Sequence, residues 1–310
     1  VILVEQPGLM TTVQDLGREG FGPLGVSASG AADAIALRIG NRLLGNREGA
    51  AALESTLVGG IFRFGIDTWV AITGSDFATT LDSEAVANWT VQSVRKGQLL
   101  RMQSTRSGAR CYLCVSGGID VPLLLGSAST HVLSGLGGFN GRPLRKGDVL
   151  HVGPGQPPSA GRLNPKFAAS FAPRLCLRVT QGLQSDWFGE ASVSAFFETP
   201  YRVTEASDRM GLRLEGAAID LRVHDEMITS GVALGAVQVP AGGQPMIVFV
   251  EQQTTGGYPV IANVIAADLP SVGQLRPRDV IEFEQVSHEE ARTQLLEQES
   301  RLGSTQLLLG

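Results

Sequence analysis

The chain has 310 residues, 43 % of them hydrophobic and 18 % charged, with a formal net charge of −5 and a sequence pI near 5.5. At roughly 150 residues per domain, that length predicts two domains. The absence of a basic run and of an apolar run of membrane-spanning length argues against nucleic acid and membranes as partners, and three cysteines with no signal-peptide layout at the start lead to the expectation of a cytoplasmic protein.

Most of the chain reads as short apolar runs separated by Gly, Pro, Asn and Asp, as at residues 69–73, 111–115 and 175–179. Regular turn signals between short strands predict a mainly β fold. Only two helices stand out. One is expected from Ser29 as its cap, through residues 34–44, to Gly45 as its stop. The other opens on a capping box of Ser287 and Glu290, with Ala291, Leu295, Leu296 and Leu302 as its apolar face. The tail after Gly303 is expected to fray or to pack on a neighbour. A shorter helix is expected near residues 269–274.

Pro154, Pro157, Pro158, Pro165 and Pro173 cluster like a linker. The expected organisation is a first β-barrel half over residues 1–155, a linker over 156–174, a second half over 175–288, and a terminal helix and tail over 289–310. A pattern recurs on both sides of the linker. Leu144-Arg145-Lys146-Gly147-Asp148 and Leu275-Arg276-Pro277-Arg278-Asp279 each precede an apolar run, and Val94-Arg95-Lys96-Gly97-Gln98 is a weaker copy.

Four stretches could carry chemistry. Residues 11–20 place Gln14, Asp15 and Arg18 on a glycine-bounded loop. An Arg can bind a carboxylate or phosphate bidentately, and Asp15 could orient it, hold a metal or simply fix the loop. Ser29 and Asp33 open the first helix, where N–H groups favour an anion; Ser29 reads first as the cap, and Asp33 as a first-turn carboxylate stabilised by the helix dipole. Asn41 and Glu54 read as buried structural polar residues. Residues 207–216 alternate like a strand, with Arg209 the candidate for an anionic substrate. The glycines from Gly117 to Gly141 suit tight turns better than a phosphate cradle.

The most informative stretch is Glu251-Gln252-Gln253-Thr254-Thr255-Gly256-Gly257-Tyr258-Pro259 between two apolar runs. Gln253, Thr254, Thr255, Gly256, Gly257 and Tyr258 are candidate substrate contacts, and a tight hairpin turn is the competing reading. Cys111 and Cys114 would point to opposite faces of a strand, so a zinc site is not expected. His131, His151, His224 and His288 show no metal spacing, and no metal site is assigned. No Walker, Rossmann or GxSxG motif is present, nor a Lys-centred amidase signature, so the chain is expected to hold part of an active site.

Taken in order, residues 11–20, 29–33, 53–54, 117–122, 126–130, 141–142, 208–216, 238–240 and 253–259 resemble the allophanate hydrolase subunit 2 or KipA family. That family is related to the carboxyltransferase domain of urea carboxylase and includes the C-type subunit of bacterial ATP-dependent 5-oxoprolinase. The resemblance runs over residues 4–291. Ala32 stands where the family usually has Met, and Glu251 where it often has Asp. The resemblance implies a mainly β fold of two cyclophilin-like barrel halves with a few short helices. It also implies a hetero-oligomer with two partners. One is the B-type subunit of 5-oxoprolinase, equivalent to allophanate hydrolase subunit 1 (KipI-like), and the other is the A-type subunit of 5-oxoprolinase.

The implied activity is ATP-dependent opening of 5-oxoproline, with ATP and Mg acting through the complex. Gln14, Asp15, Arg18 and Arg209 would be catalytic, and Asp15 or Asp33 would support Mg. Allophanate hydrolysis, biotin-dependent carboxyl transfer and a non-enzymatic KipA-like binding role are the alternatives. No biotin attachment sequence is present in this chain.

Overall fold

A computed structural model describes residues 1–223 and 227–310. The chain forms two compact units. The first comprises residues 1–18, 29–172 and 301–310, and the second residues 19–28 and 173–300.

The first unit holds a seven-stranded and a five-stranded sheet. In the five-stranded sheet, Met10–Gln14, Ala52–Thr56, Arg110–Val115, Thr68–Gly74 and Val91–Val94 lie side by side, all antiparallel. Arg110–Val115 is buried along its whole length. Its alternate side chains serve two cores, as strand geometry requires. Cys111, Leu113 and Val115 join Val13, Leu53, Phe62, Phe64, Val70 and Ile72. Tyr112 and Cys114 join Ala36, Leu37 and Ile39 of the helix Ala34–Leu43. The two cysteines therefore do face opposite ways. Gly40 allows the helix to lie close to the sheet, because a Cβ there would sit 2.6 Å from Cys114 Sγ. Burial pushes the Cys114 thiol up to about 12, so it stays protonated.

The first helix starts later than expected. Asp33, not Ser29, is its cap, and the Asp33 carboxylate accepts from the Ala36 N–H at 3.0 Å. A cap must sit one residue before the first helical one, and residues 30–33 are not helical. Gly45 ends the helix as expected, in the left-handed region at φ 69°, with Gly45 N–H bonded to Arg42 C=O and Asn46 N–H to Asn41 C=O.

The capping box at Ser287 and Glu290 forms, with Ser287 N–H donating to Glu290 Oε2 at 2.7 Å and opening the helix His288–Gly303. Its apolar face is weaker than expected: Leu302 is buried but Leu296 is 57 % exposed. The tail does not fray. Leu308–Leu309 pairs with Arg162–Leu163 in the first unit, and Leu307 is fully buried there. The proline-rich stretch before residue 173 also carries regular structure, the strand Arg162–Leu163 and the short helix Pro165–Ala168.

The second unit closes a seven-stranded barrel in the order Cys176–Gln181, Val260–Val264, Ala236–Gln238, Met246–Val248, Gly211–Glu215, Tyr201–Val203, Val280–Gln285. Closure leaves the barrel no unpaired edge. Leu212 and Leu214 point inward and Arg213 and Glu215 outward, as the alternation predicts. The helix Leu269–Gln274 is present.

The repeated basic-turn pattern is one local structure used three times. Arg145 N–H donates to Asp148 Oδ2 at 2.7 Å, Arg276 N–H to Asp279 Oδ2 at 2.8 Å, and Arg95 N–H to Gln98 Oε1 at 2.7 Å. In each, the fourth residue's N–H returns to the first residue's carbonyl at 3.1 Å. The third residue is left-handed in all three: Gly147 at φ 90°, Gly97 at φ 93° and Arg278 at φ 76°. An L residue in that region costs about 1–2 kcal/mol, and glycine's extra chain entropy returns part of it. Arg278→Gly is therefore expected to raise stability by about 0.5–1 kcal/mol. The lost Arg278–Glu205 pair is exposed and contributes little. Urea unfolding of the variant checks this; a loss of stability contradicts it.

Candidate functional site

In the first unit, the expected residues gather at the end of the strand Met10–Gln14. Asp15 follows that strand and is almost wholly buried. Its Oδ1 accepts from Ser127 Oγ at 2.7 Å, Ser129 Oγ at 2.5 Å and Gly17 N–H at 2.8 Å. Its Oδ2 accepts from Ala128 N–H at 2.7 Å, and its carbonyl accepts from Ala31 N–H at 2.9 Å. Four donors on its carboxylate and one on its carbonyl make Asp15 the tie between residues 15–17, 29–31 and 127–129. That leaves little lone-pair capacity for Mg.

Arg18 is 2 % exposed and donates through Nη2 to the Ser129 carbonyl. Gly137 makes room for it, because a Cβ there would lie 2.8 Å from Arg18 Nη2 and 2.3 Å from the Ser129 carbonyl oxygen. Gln14 is fully buried, and its Nε2 donates to Thr12 Oγ1 at 3.0 Å and to Thr130 C=O at 3.1 Å. Ser29, at φ 55°, donates through Oγ to the same Thr130 carbonyl at 2.8 Å.

The start of the first helix is not an open anion site. Ala32 N–H donates to Glu54 Oε2 at 2.8 Å and Asp33 N–H to Tyr112 Oη at 2.8 Å. The Tyr112 hydroxyl in turn donates to Glu54 Oε2 at 2.7 Å. Burial first, and the Glu54 carboxylate next, push the Tyr112 hydroxyl well above its ordinary range, so it remains a donor. Thr12, Glu54, Tyr112 and Thr73 are consecutive register partners across the five-stranded sheet, a polar row on the face that carries the helix. Glu54 and Asn41 are thus structural, as expected. Asn41 Nδ2 donates to the carbonyls of Glu48 and Ala50. With Asp33 engaged as a cap, neither Asp33 nor Asp15 offers an open carboxylate for Mg. Among the described residues, no three His, Cys, Asp or Glu are grouped as metal ligands. His224 lies outside the described residues.

In the second unit, the stretch 251–259 is not a hairpin turn. The strands on either side of it, Met246–Val248 and Val260–Val264, both pair with Ala236–Gln238, so the segment crosses from one side of that strand to the other. Thr255–Gly256 forms a small ribbon with Ser230–Gly231, and Val232 N–H bonds to Thr254 C=O at 3.0 Å. Gln253, Thr255, Gly257 and Tyr258 are exposed, and Thr254 and Gly256 are half-buried. At Gly256 a Cβ would lie 2.9 Å from the Nε2 of buried Gln238, so a side chain there would displace that amide.

Arg209, expected to receive an anionic substrate, lies before the strand Gly211–Glu215 and is 4 % exposed. Its Nε donates to Glu251 Oε1 at 2.5 Å, and Glu251 N–H returns to the Arg209 carbonyl at 2.8 Å. The pair pins the entrance of the 251–259 segment rather than presenting an open cation to a ligand.

Sequence reasoning left Ser127, Ser129, Gln238 and Tyr112 without roles. The signal for the serines was their place in a Gly-Ser-Ala-Ser-Thr run, and for Gln238 a lone amide in an apolar strand.

No described helix is long and apolar enough to cross a membrane. The chain is 40 % identical to the C-type subunit of 5-oxoprolinase from Escherichia coli over 94 % of its own length and 93 % of that protein's. It is 34 % identical to urea amidolyase of Saccharomyces cerevisiae over 94 % of its length but only 17 % of the yeast protein's. Superposed on the crystal structure of the K. lactis urea amidolyase, 99 % of the chain matches with a TM-score of 0.92 and 31 % identity, spanning a fifth of that larger chain. The family model described as carboxyltransferase domain, subdomain A and B, matches residues 24–285. On these grounds the chain belongs to the carboxyltransferase domain family.

Proposed function

We infer that the protein is one component of an ATP-dependent 5-oxoprolinase. Its similarity to the C-type 5-oxoprolinase subunit of E. coli, which extends over nearly the full length of both chains, carries this reading. A five-membered lactam is a poor electrophile. Transfer of the ATP γ-phosphoryl group to the lactam oxygen gives ADP and an O-phosphorylated imidate. Addition of water and cleavage of the ring C–N bond gives γ-glutamyl phosphate, and a second water releases glutamate and phosphate. Such chemistry asks mainly for positioning and charge stabilisation.

The residues at hand suit that demand. Gln14 and Arg18 are a fixed amide and a fixed cation, held by the carbonyls of Thr130 and Ser129 in a segment that the Asp15 carboxylate ties down. Gln253, Thr254, Thr255, the Gly256–Gly257 amides and Tyr258 offer polar contacts on the second unit, which the Arg209–Glu251 pair positions. Ser29 joins the first cluster at the Thr130 carbonyl, and Asp33 caps the helix that follows. Because Asp15 and Asp33 are already engaged, any Mg would be held with ATP by the partner proteins, of the B type (KipI-like) and the A type.

Purified with those partners, the protein should convert 5-oxoproline and ATP to glutamate and ADP in equal amounts. ATP loss that ignores 5-oxoproline, or no loss, rejects the assignment. The likeness to urea amidolyase favours biotin-dependent carboxyl transfer as the second reading. It requires a biotinylated partner, which avidin blotting of the purified complex would reveal.

A further inference from the structure

The buried amide of Gln14 has one polar atom that the fold does not use. Both hydrogens of Nε2 are committed, one to Thr12 Oγ1 and one to Thr130 C=O. Flipping the amide would set Oε1 against the Thr130 carbonyl, so the orientation is fixed. Oε1 is left fully buried without a hydrogen-bond donor. A buried acceptor in that state destabilises the free chain and calls for a partner, and a ligand's N–H is one that could supply it.

We propose that Gln14 Oε1 is the acceptor for the ring N–H of the lactam, and so the residue that selects N–H-bearing substrates over their oxygen isosteres. This deepens, and rests on, the 5-oxoprolinase assignment. Geometry and chemistry agree on it. The atom belongs to a cluster that also holds the Arg18 guanidinium, which donates to the carbonyl of Ser129, next to Thr130. A lactam presents one N–H donor beside one carbonyl acceptor, matching an acceptor and a cation anchored on the adjacent carbonyls of Thr130 and Ser129. When the lactam oxygen takes up a phosphoryl group, the ring nitrogen gains positive character and its N–H becomes a stronger donor. An acceptor already in place then binds the transition state more tightly than the ground state. Gln14 is covered in the free chain, so admission of the ligand requires the backbone beside it to move. Gly17 at φ 94° and Gly30 at φ 98° stand where that movement would be absorbed.

The test compares 5-oxoproline with its lactone isostere, in which the ring N–H is an ether oxygen, by calorimetric binding to the assembled complex without ATP. The wild-type complex should prefer the lactam by about 10- to 100-fold. Gln14→Met, which keeps the volume and removes the acceptor, should bring that ratio to near one. Gln14→Leu, a second apolar replacement that removes the acceptor, should do the same and covers the case that Gln14→Met does not fold. A lactam preference unchanged in either folded variant overturns the role of Gln14 alone. Binding of neither compound by the wild-type complex overturns the 5-oxoproline assignment, and this inference with it.

Discussion

Replacing Asp15 by Ala is expected to cost the first unit about 3–5 kcal/mol, close to the upper end for a single substitution. The carboxylate accepts from two hydroxyls and two backbone N–H groups, those of Ser127, Ser129 and Ala128 buried and that of Gly17 half-buried. Each donor left without an acceptor costs about 1–3 kcal/mol, and hydrogen bonds to a charged acceptor are among the stronger ones. The hydroxyls of Ser127 and Ser129 can turn to other partners, so the four contributions do not add in full. The N–H groups of Gly17 and Ala128 cannot turn. Asp15→Asn should lose about half as much, because an amide presents hydrogens to sites built only of donors. Urea unfolding followed by tryptophan fluorescence checks the order wild type, Asn, Ala.

The same variants decide whether Asp15 is a metal ligand. A carboxylate held open for Mg would be a liability in the metal-free chain, and its removal would be neutral or stabilising. Mg would then raise the unfolding temperature of the wild type but not of the variants. The hydrogen-bonded arrangement predicts a large loss in the Asn and Ala variants with no Mg effect in any of the three. If Asp15→Ala is as stable as the wild type, Asp15 does not hold this cluster together.

What could be seen in the sequence was what lies within a few residues. The turns at Arg145, Arg276 and Arg95 close on side chains three positions ahead, so their repetition was visible as a pattern. The capping box at Ser287 and the left-handed stop at Gly45 are local for the same reason. The first helix shows the limit of this. Ser29 and Asp33 are both good caps, four residues apart, and only the non-helical path of residues 30–33 decides between them.

What remained hidden depends on distant partners. The Asp15 donors Ser127 and Ser129 lie 112 and 114 residues away. The tail strand Leu308–Leu309 meets Arg162–Leu163 from far along the sequence. Ser230–Gly231, the partner of Thr255–Gly256, is a strand too short to leave a hydrophobic period. The stretch 251–259 was thus recognisable as unusual, while its path as a crossover depended on both neighbouring strands choosing Ala236–Gln238.

Arg209 and Glu251 are 42 residues apart and 4 % and 3 % exposed, and their pairing sets the second large expected effect. Arg209→Met should destabilise the second unit by about 3–5 kcal/mol, because it leaves the Glu251 carboxylate buried without its cation. Glu251→Met should do comparable damage by stranding the guanidinium. The double variant Arg209→Met/Glu251→Met removes both charges. It should recover to within about 1–2 kcal/mol of the wild type, since two apolar side chains can replace a buried pair at little net cost. A double variant as unstable as the sum of the singles would mean that each residue has a separate essential partner.

The double variant also separates positioning from ligand binding. If Arg209 gripped an anionic substrate, losing it would raise KM by two orders of magnitude or more in a protein that still folds. If the pair only fixes the entrance of the 251–259 segment, KM for 5-oxoproline should shift by less than about tenfold. Thr255→Ala, made on the exposed ribbon, should then weaken substrate binding without moving the unfolding midpoint, because its side chain carries no buried packing.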